Sequence, residues 1–129
     1  MTIRIEEEVE EEARACGCAH KVASALNLID LVRDYLHILE DMGDGRTKEY
    51  RNAVDFLHIA LNDLEDAKRV CNFEFKKTIE KVKRALEYLK KKKYGDASFE
   101  LTTARVALLF DELASCEYRE RMKKYKWRE

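Results

Sequence analysis

Apolar residues recur every three or four positions over most of this chain, no proline interrupts it, and glycine occurs only at 17, 43, 45 and 95. A repeat of that period lines one side of an α-helix, whereas the strict alternation that a half-buried strand needs is absent. The glycines then mark where helices stop, dividing the chain into four helical runs.

The first run carries Val22, Ala25, Ile29, Val32, Leu36 and Leu39 on one stripe, with Leu28, Leu31, Tyr35 and Ile38 widening the apolar face. It ends at Gly43-Asp44-Gly45, after which Thr47 is placed to cap a second helix with the stripe Tyr50, Val54, Leu57, Leu61, Leu64 and Cys71. Asn72 closes that helix. A third reads Phe75, Ile79, Val82, Leu86 and Leu89, its end marked by Lys90 to Lys93, Tyr94 and Gly95. Asp96 or Ser98 can cap the last, which is expected to bury Phe99, Val106, Leu109, Leu113 and Cys116 before a basic tail ending at Trp127.

Four helices with three short links predict an all-α, antiparallel up-down four-helix bundle with long first and last helices. The free ends of those two, Glu6 to Glu12 and Arg119 to Arg128, would overhang on the same side. At 129 residues the whole chain, 1–129, reads as a single helical-bundle domain.

Charged residues make up 40% of the chain, against about a quarter in an ordinary soluble domain, and the surplus must lie on the outside of the bundle. Such charge-laced helices also fit a protein from a hot environment. No run approaches the roughly 18 apolar residues of a membrane span, and the start of the chain is acidic where a secretory signal is basic and then apolar. A cytoplasmic location and no membrane partner are therefore expected. Residues 1–66 hold 7 Lys+Arg against 16 Asp+Glu, whereas residues 67–129 hold 18 against 10, so an acidic half faces a basic one. Opposite faces of this kind can meet within one chain or between chains.

Folding about the short links brings Cys16, Cys18, Cys71 and Cys116 to one end of the bundle, with His20 nearby. Thiolates gathered in that way could hold zinc or an iron-sulfur cluster. The alternatives are small apolar fillers of the core or a disulfide between helices, and the Cys-x-x-Cys pairs that make a metal site persuasive are absent. No cofactor is expected on this reading.

Asp34-Tyr35-Leu36-His37-Ile38 and Asp55-Phe56-Leu57-His58-Ile59 echo each other, each placing an Asp one turn before a His. The two histidines fall on polar faces and about two turns apart once the hairpin closes, which leaves them unsuited to one shared metal. Arg51-Asn52 followed by His58 resembles the Arg-x(4-6)-His signature of the HEPN ribonuclease superfamily, over one helix; Arg14 and His20 meet the same spacing. The resemblance implies Arg51 holding a phosphate and His58 moving the proton of a ribose 2′-hydroxyl.

The remaining candidates are cations. Lys76, Lys77, Lys81, Lys83, Arg84, Lys90, Lys91, Lys92 and Lys93 line the third helix, and Arg119, Arg121, Lys123, Lys124, Lys126 and Arg128 the tail, where Tyr118, Tyr125 and Trp127 could stack on bases. Both clusters also sit at helix C-termini, where cations offset the helix dipole, and the sequence pI near 6.3 is low for a dedicated nucleic-acid binder. Tyr94-Gly95-Asp96-Ala97 joins two helices in a hairpin resembling those of tetratricopeptide-type repeats, in a single copy. No phosphate-binding glycine loop, nucleophile elbow or metalloprotease His pair occurs. The leading expectation is a non-enzymatic helical interaction module that associates with itself, or with a protein partner, its separated charge helping to set partner and orientation. Nucleic-acid binding or RNA cleavage and cysteine-bound metal are the alternatives.

Overall fold

A computed structural model describes residues 19–42, 47–71 and 73–112. They form α1 (Ala19–Met42), α2 (Thr47–Cys71), α3 (Lys76–Lys90) and α4 (Tyr94–Val106), and α4 runs on into a π-helical segment, Ala107–Glu112. No strand occurs among the described residues. Helix α1 packs on α2 and α4, while α3 packs on α2 and α4, so each helix lies between two neighbours.

Side-chain pairs fix the directions. Lys21 meets Asp66, Ser24 meets Asp63 and Tyr35 stacks on Phe56, so one helix numbers up as the other numbers down. Asp30 meets Arg105, and a Cβ added at Gly95 would lie 3.7 Å from Glu40, which sets α4 antiparallel to α1. Thr78 meets Glu112 and Lys77 meets Asp111, setting α3 against the end of α4. The chain is thus an antiparallel four-helix bundle. The overhangs expected at Glu6 to Glu12 and Arg119 to Arg128, and the Gly43-Asp44-Gly45 turn, lie outside the described residues.

The core follows the predicted stripes on α1 and α3. Val22, Ala25, Ile29, Val32, Leu36 and Leu39 are buried, as are Phe75, Ile79, Val82, Leu86 and Leu89. Of the residues expected to widen the α1 face, Leu28 and Tyr35 pack partly against the core, whereas Leu31 and Ile38 stay exposed. On α2 the buried line is Ala53, Leu57, Ala60, Leu64 and Ala67, with Tyr50, Val54 and Leu61 only partly covered. Ala53, Ala60 and Ala67 are fully buried, so close-packed neighbours cover even these short side chains.

Two expectations fail around the α3–α4 turn. Gly95 does not end α3: it is the second residue of α4, and the chain reverses at Lys92, whose φ of 60° is the one positive value outside glycine among the described residues. Lys93 N–H donates to Tyr88 O at 2.9 Å and Lys92 N–H to Leu89 O at 3.0 Å, the paired bonds of a Schellman ending. Asp96 and Ser98 do not cap α4 either, because the helix begins two residues before Asp96, with Lys93 at its N-cap and no side-chain cap bond. The caps expected at Thr47 and Asn72 fall on residues whose side chains are outside the described set.

Candidate interaction surface

Helix α4 departs most from its predicted orientation. Its buried residues are Ala97, Leu101 and Ala104, continued by Ala107, Leu108 and Leu109, so of the described residues expected to face inward Leu109 does and Phe99 and Val106 do not. Phe99 is 66% exposed, Val106 50% and Phe110 75%. Leu113 and Cys116 lie outside the described residues. The sequence offers two apolar stripes on this helix, and the bundle takes the one built from smaller residues.

Several contacts hold α4 in this rotation. Arg105 Nε lies 3.1 Å from Asp30 Oδ1, and Arg33 approaches the same oxygen at 3.6 Å from its own helix. The geometry is imperfect: Asp30 Oδ1, Arg33 Nε and Glu100 Oε2 are buried atoms without a hydrogen-bond partner among the described residues. The Arg105 and Asp30 side chains are both partly exposed, so solvent screens the pair and it contributes no more than about 1 kcal/mol.

At the other flank, Glu112 is 6% exposed and its carboxylate accepts bonds from Thr78 N–H at 2.7 Å, from Lys77 N–H at 3.3 Å and from the Thr78 hydroxyl. Those two amides belong to the first turn of α3, whose own N-cap, Phe75, has no side chain to offer them. The end of α4 therefore caps the start of α3, and the negative charge lies at the positive pole of that helix. Burial nevertheless pushes the Glu112 carboxyl up from its ordinary range, with the Thr78 and Lys77 bonds opposing it and the Asp111 charge adding to the rise. Lys77 pairs with Asp111 at the rim of this site, and that hydrogen bond raises the lysine. The wider winding of the π-helical segment brings Ala107, Leu108, Leu109 and Glu112 to the inside while Phe110 stays outside.

The outer face of α4 carries Phe99, Thr102, Thr103, Val106 and Phe110, with Asp96 exposed in its first turn. Thr102 donates its hydroxyl to Ser98 O and Thr103 to Glu100 O, each at 2.9 Å. Both hydroxyls are satisfied within the helix, so covering this face strands neither of them.

The residues singled out from the sequence stand elsewhere. Arg51, Asp55 and His58 are exposed on α2, and His37 is exposed on α1. A groove of about 350 Å³ does open beside α2, but it lies over Phe75 and Ile79 between α2 and α3, rimmed by Glu65, Lys68, Lys76 and Lys83, and includes neither Arg51 nor His58. Lys90, Lys91, Lys92 and Lys93 are all exposed at the α3–α4 turn. Cys16, Cys18 and Cys116, the side chains of Cys71 and His20, and Lys123, Lys124, Lys126 and Trp127 lie outside the described residues. Among the described residues, no group of three or more His, Cys, Asp or Glu is placed to hold a metal ion. No helix among them is long and apolar enough to cross a membrane.

The chain matches no family model, no curated protein and no solved structure. The exposed face of α4 was detectable in principle, because Ala97, Leu101, Ala104 and Leu108 form a second stripe of helical spacing. Two stripes on one helix leave one unpaired in any single bundle.

Proposed function

We propose that this chain is a non-enzymatic helical interaction module of the cytoplasm that associates with itself. One observation carries the reading: in a chain with 40% charged residues, one side of α4 exposes three large apolar side chains, Phe99, Val106 and Phe110. Leu31, Ile38, Ile59 and Val70 are exposed on α1 and α2, but the two phenylalanines are the largest apolar side chains left outside, and clustered exposed apolar groups mark sites that another surface covers. Light scattering over a concentration series, at low and at high salt, tests it. The weight-average mass is expected to climb from monomer towards dimer with concentration; a constant monomer mass in both salts would contradict the reading.

A second reading rests on the exposed lysines 90–93 at the α3–α4 turn, which could hold a phosphate backbone. Gel-shift titrations with single-stranded and duplex RNA address it, with Lys91→Glu/Lys93→Glu expected to weaken any complex and flatten its salt dependence.

A further inference from the structure

The geometry points to a particular mode of self-association: two copies pack α4 against α4 in antiparallel fashion across a two-fold axis, Phe99 of each opposite Phe110 of the other. This rests on the self-association reading and adds to it a surface, an orientation and a set of contacts.

Spacing comes first. Phe99, Val106 and Phe110 fall at intervals of seven and four residues, so they share a side of α4 and its extension. Antiparallel pairing of two such stripes sets a phenylalanine at each end of one helix against a phenylalanine of the other. The middle then holds Val106 opposite Thr103, whose hydroxyl is already bonded to Glu100 O. A patch that is complementary to itself in this way closes as a dimer and leaves nothing over for a chain of copies.

Charge chooses the direction. Lys90, Lys91, Lys92 and Lys93 stand exposed just before and at the start of α4, with Asp96 in its first turn, while Asp111 in the π-helical extension is already paired with Lys77. Parallel packing would bring two four-lysine turns together. Antiparallel packing separates them by the length of the helix and sets the two helix dipoles opposed. Two phenylalanines and a valine at these exposures offer roughly 300–400 Å² of apolar side chain, against about 800 Å² per partner in a stable complex, which places the dimer in the reversible class.

Sedimentation velocity on the full chain tests this, in reductant so that its four cysteines do not cross-link copies. Wild type is expected to show a monomer–dimer equilibrium with no larger species. Phe99→Glu and Phe110→Lys, both at exposed positions, should keep the helical circular dichroism and each raise the dissociation constant by about tenfold or more. The combined Phe99→Glu/Phe110→Lys variant should recover much of that loss at low salt and little at high salt, because in the antiparallel pair the introduced charges at 99 and 110 face each other with opposite sign. A wild type that stays monomeric overturns the self-association reading and this surface together. A wild-type dimer indifferent to both single variants overturns the α4 surface and leaves self-association standing. Single variants that break the dimer without rescue by the combination overturn the antiparallel pairing.

Discussion

Helices α3 and α4 are neighbours in one hairpin and read alike as amphipathic segments, yet only α3 lies as its stripe predicts. On α3, charge and apolarity divide the helix cleanly: Phe75, Ile79, Val82, Leu86 and Leu89 are buried, and Lys76, Lys77, Glu80, Lys83, Arg84 and Glu87 are exposed. Any other rotation would bury several charges, so a single orientation is available. On α4 the same division does not exist. Apolar residues lie on both sides, and Arg105 against Asp30, Glu112 against Thr78 and the close fit of Ala97 and Ala104 select which side turns inward. A sharply divided helix is oriented by its own sequence, whereas an ambiguous one is oriented by its neighbours and presents its second stripe to the outside.

The strongest way to break this comparison is to truncate matched residues. Leu89→Ala on α3 and Leu101→Ala on α4 remove fully buried side chains, and each should cost about 2–5 kcal/mol in urea unfolding. Were α4 rotated so that Phe99 faced the core, Leu101→Ala would be nearly silent.

Next in size is the cap that joins the two helices. Glu112→Ala strands the Thr78 and Lys77 amides and the Thr78 hydroxyl, for an expected loss of about 1–3 kcal/mol, whereas Glu112→Gln keeps an acceptor and should lose less. The pH dependence sharpens the test. The folded chain holds a proton on Glu112 more readily than the unfolded chain, whose carboxyl titrates near 4.5. Its contribution is therefore fully present below 4.5 and lost as pH rises through the raised folded value. Wild type should gain on Glu112→Gln as pH falls from neutral towards 4.5, seen as a growing difference in urea midpoint; a difference independent of pH would contradict the buried, raised carboxyl. Asp66 acts with the opposite sign in a lower range, because its hydrogen bond from Arg69 holds its pKa below 3.8.

A smaller effect belongs to the turn between the two helices. Lys92→Gly relieves a left-handed backbone and should stabilise the chain by about 0.5–1 kcal/mol, measured as a raised Tm. Gly95→Ala should also stabilise, since an added Cβ would meet only the end of the Glu40 side chain at 3.7 Å. The smallest effect is on the outside of α4: Phe99→Ser, measured at concentrations where the chain is monomeric, should change stability by no more than about 0.5 kcal/mol.

The amino-acid sequence by itself determined the helices, their approximate number and ends, and which side of α1 and α3 faces the core, because periodicity and the cost of burying charge act locally. The alanine line of α2 was less legible, since alanine is ordinary in any helix and only the closeness of a neighbour makes Ala53, Ala60 and Ala67 core residues. Tertiary structure alone decided the rotation of α4, the bonding of Glu112 to amides 34 and 35 residues away, and the reversal at Lys92 rather than Gly95. For the first two the physical reason is shared: each depends on which donor, charge or small side chain lies across the helix interface, and residues distant in sequence acquire those neighbours only once the helices have packed. The reversal at Lys92 is instead closed by backbone bonds to Tyr88 and Leu89 at the end of α3.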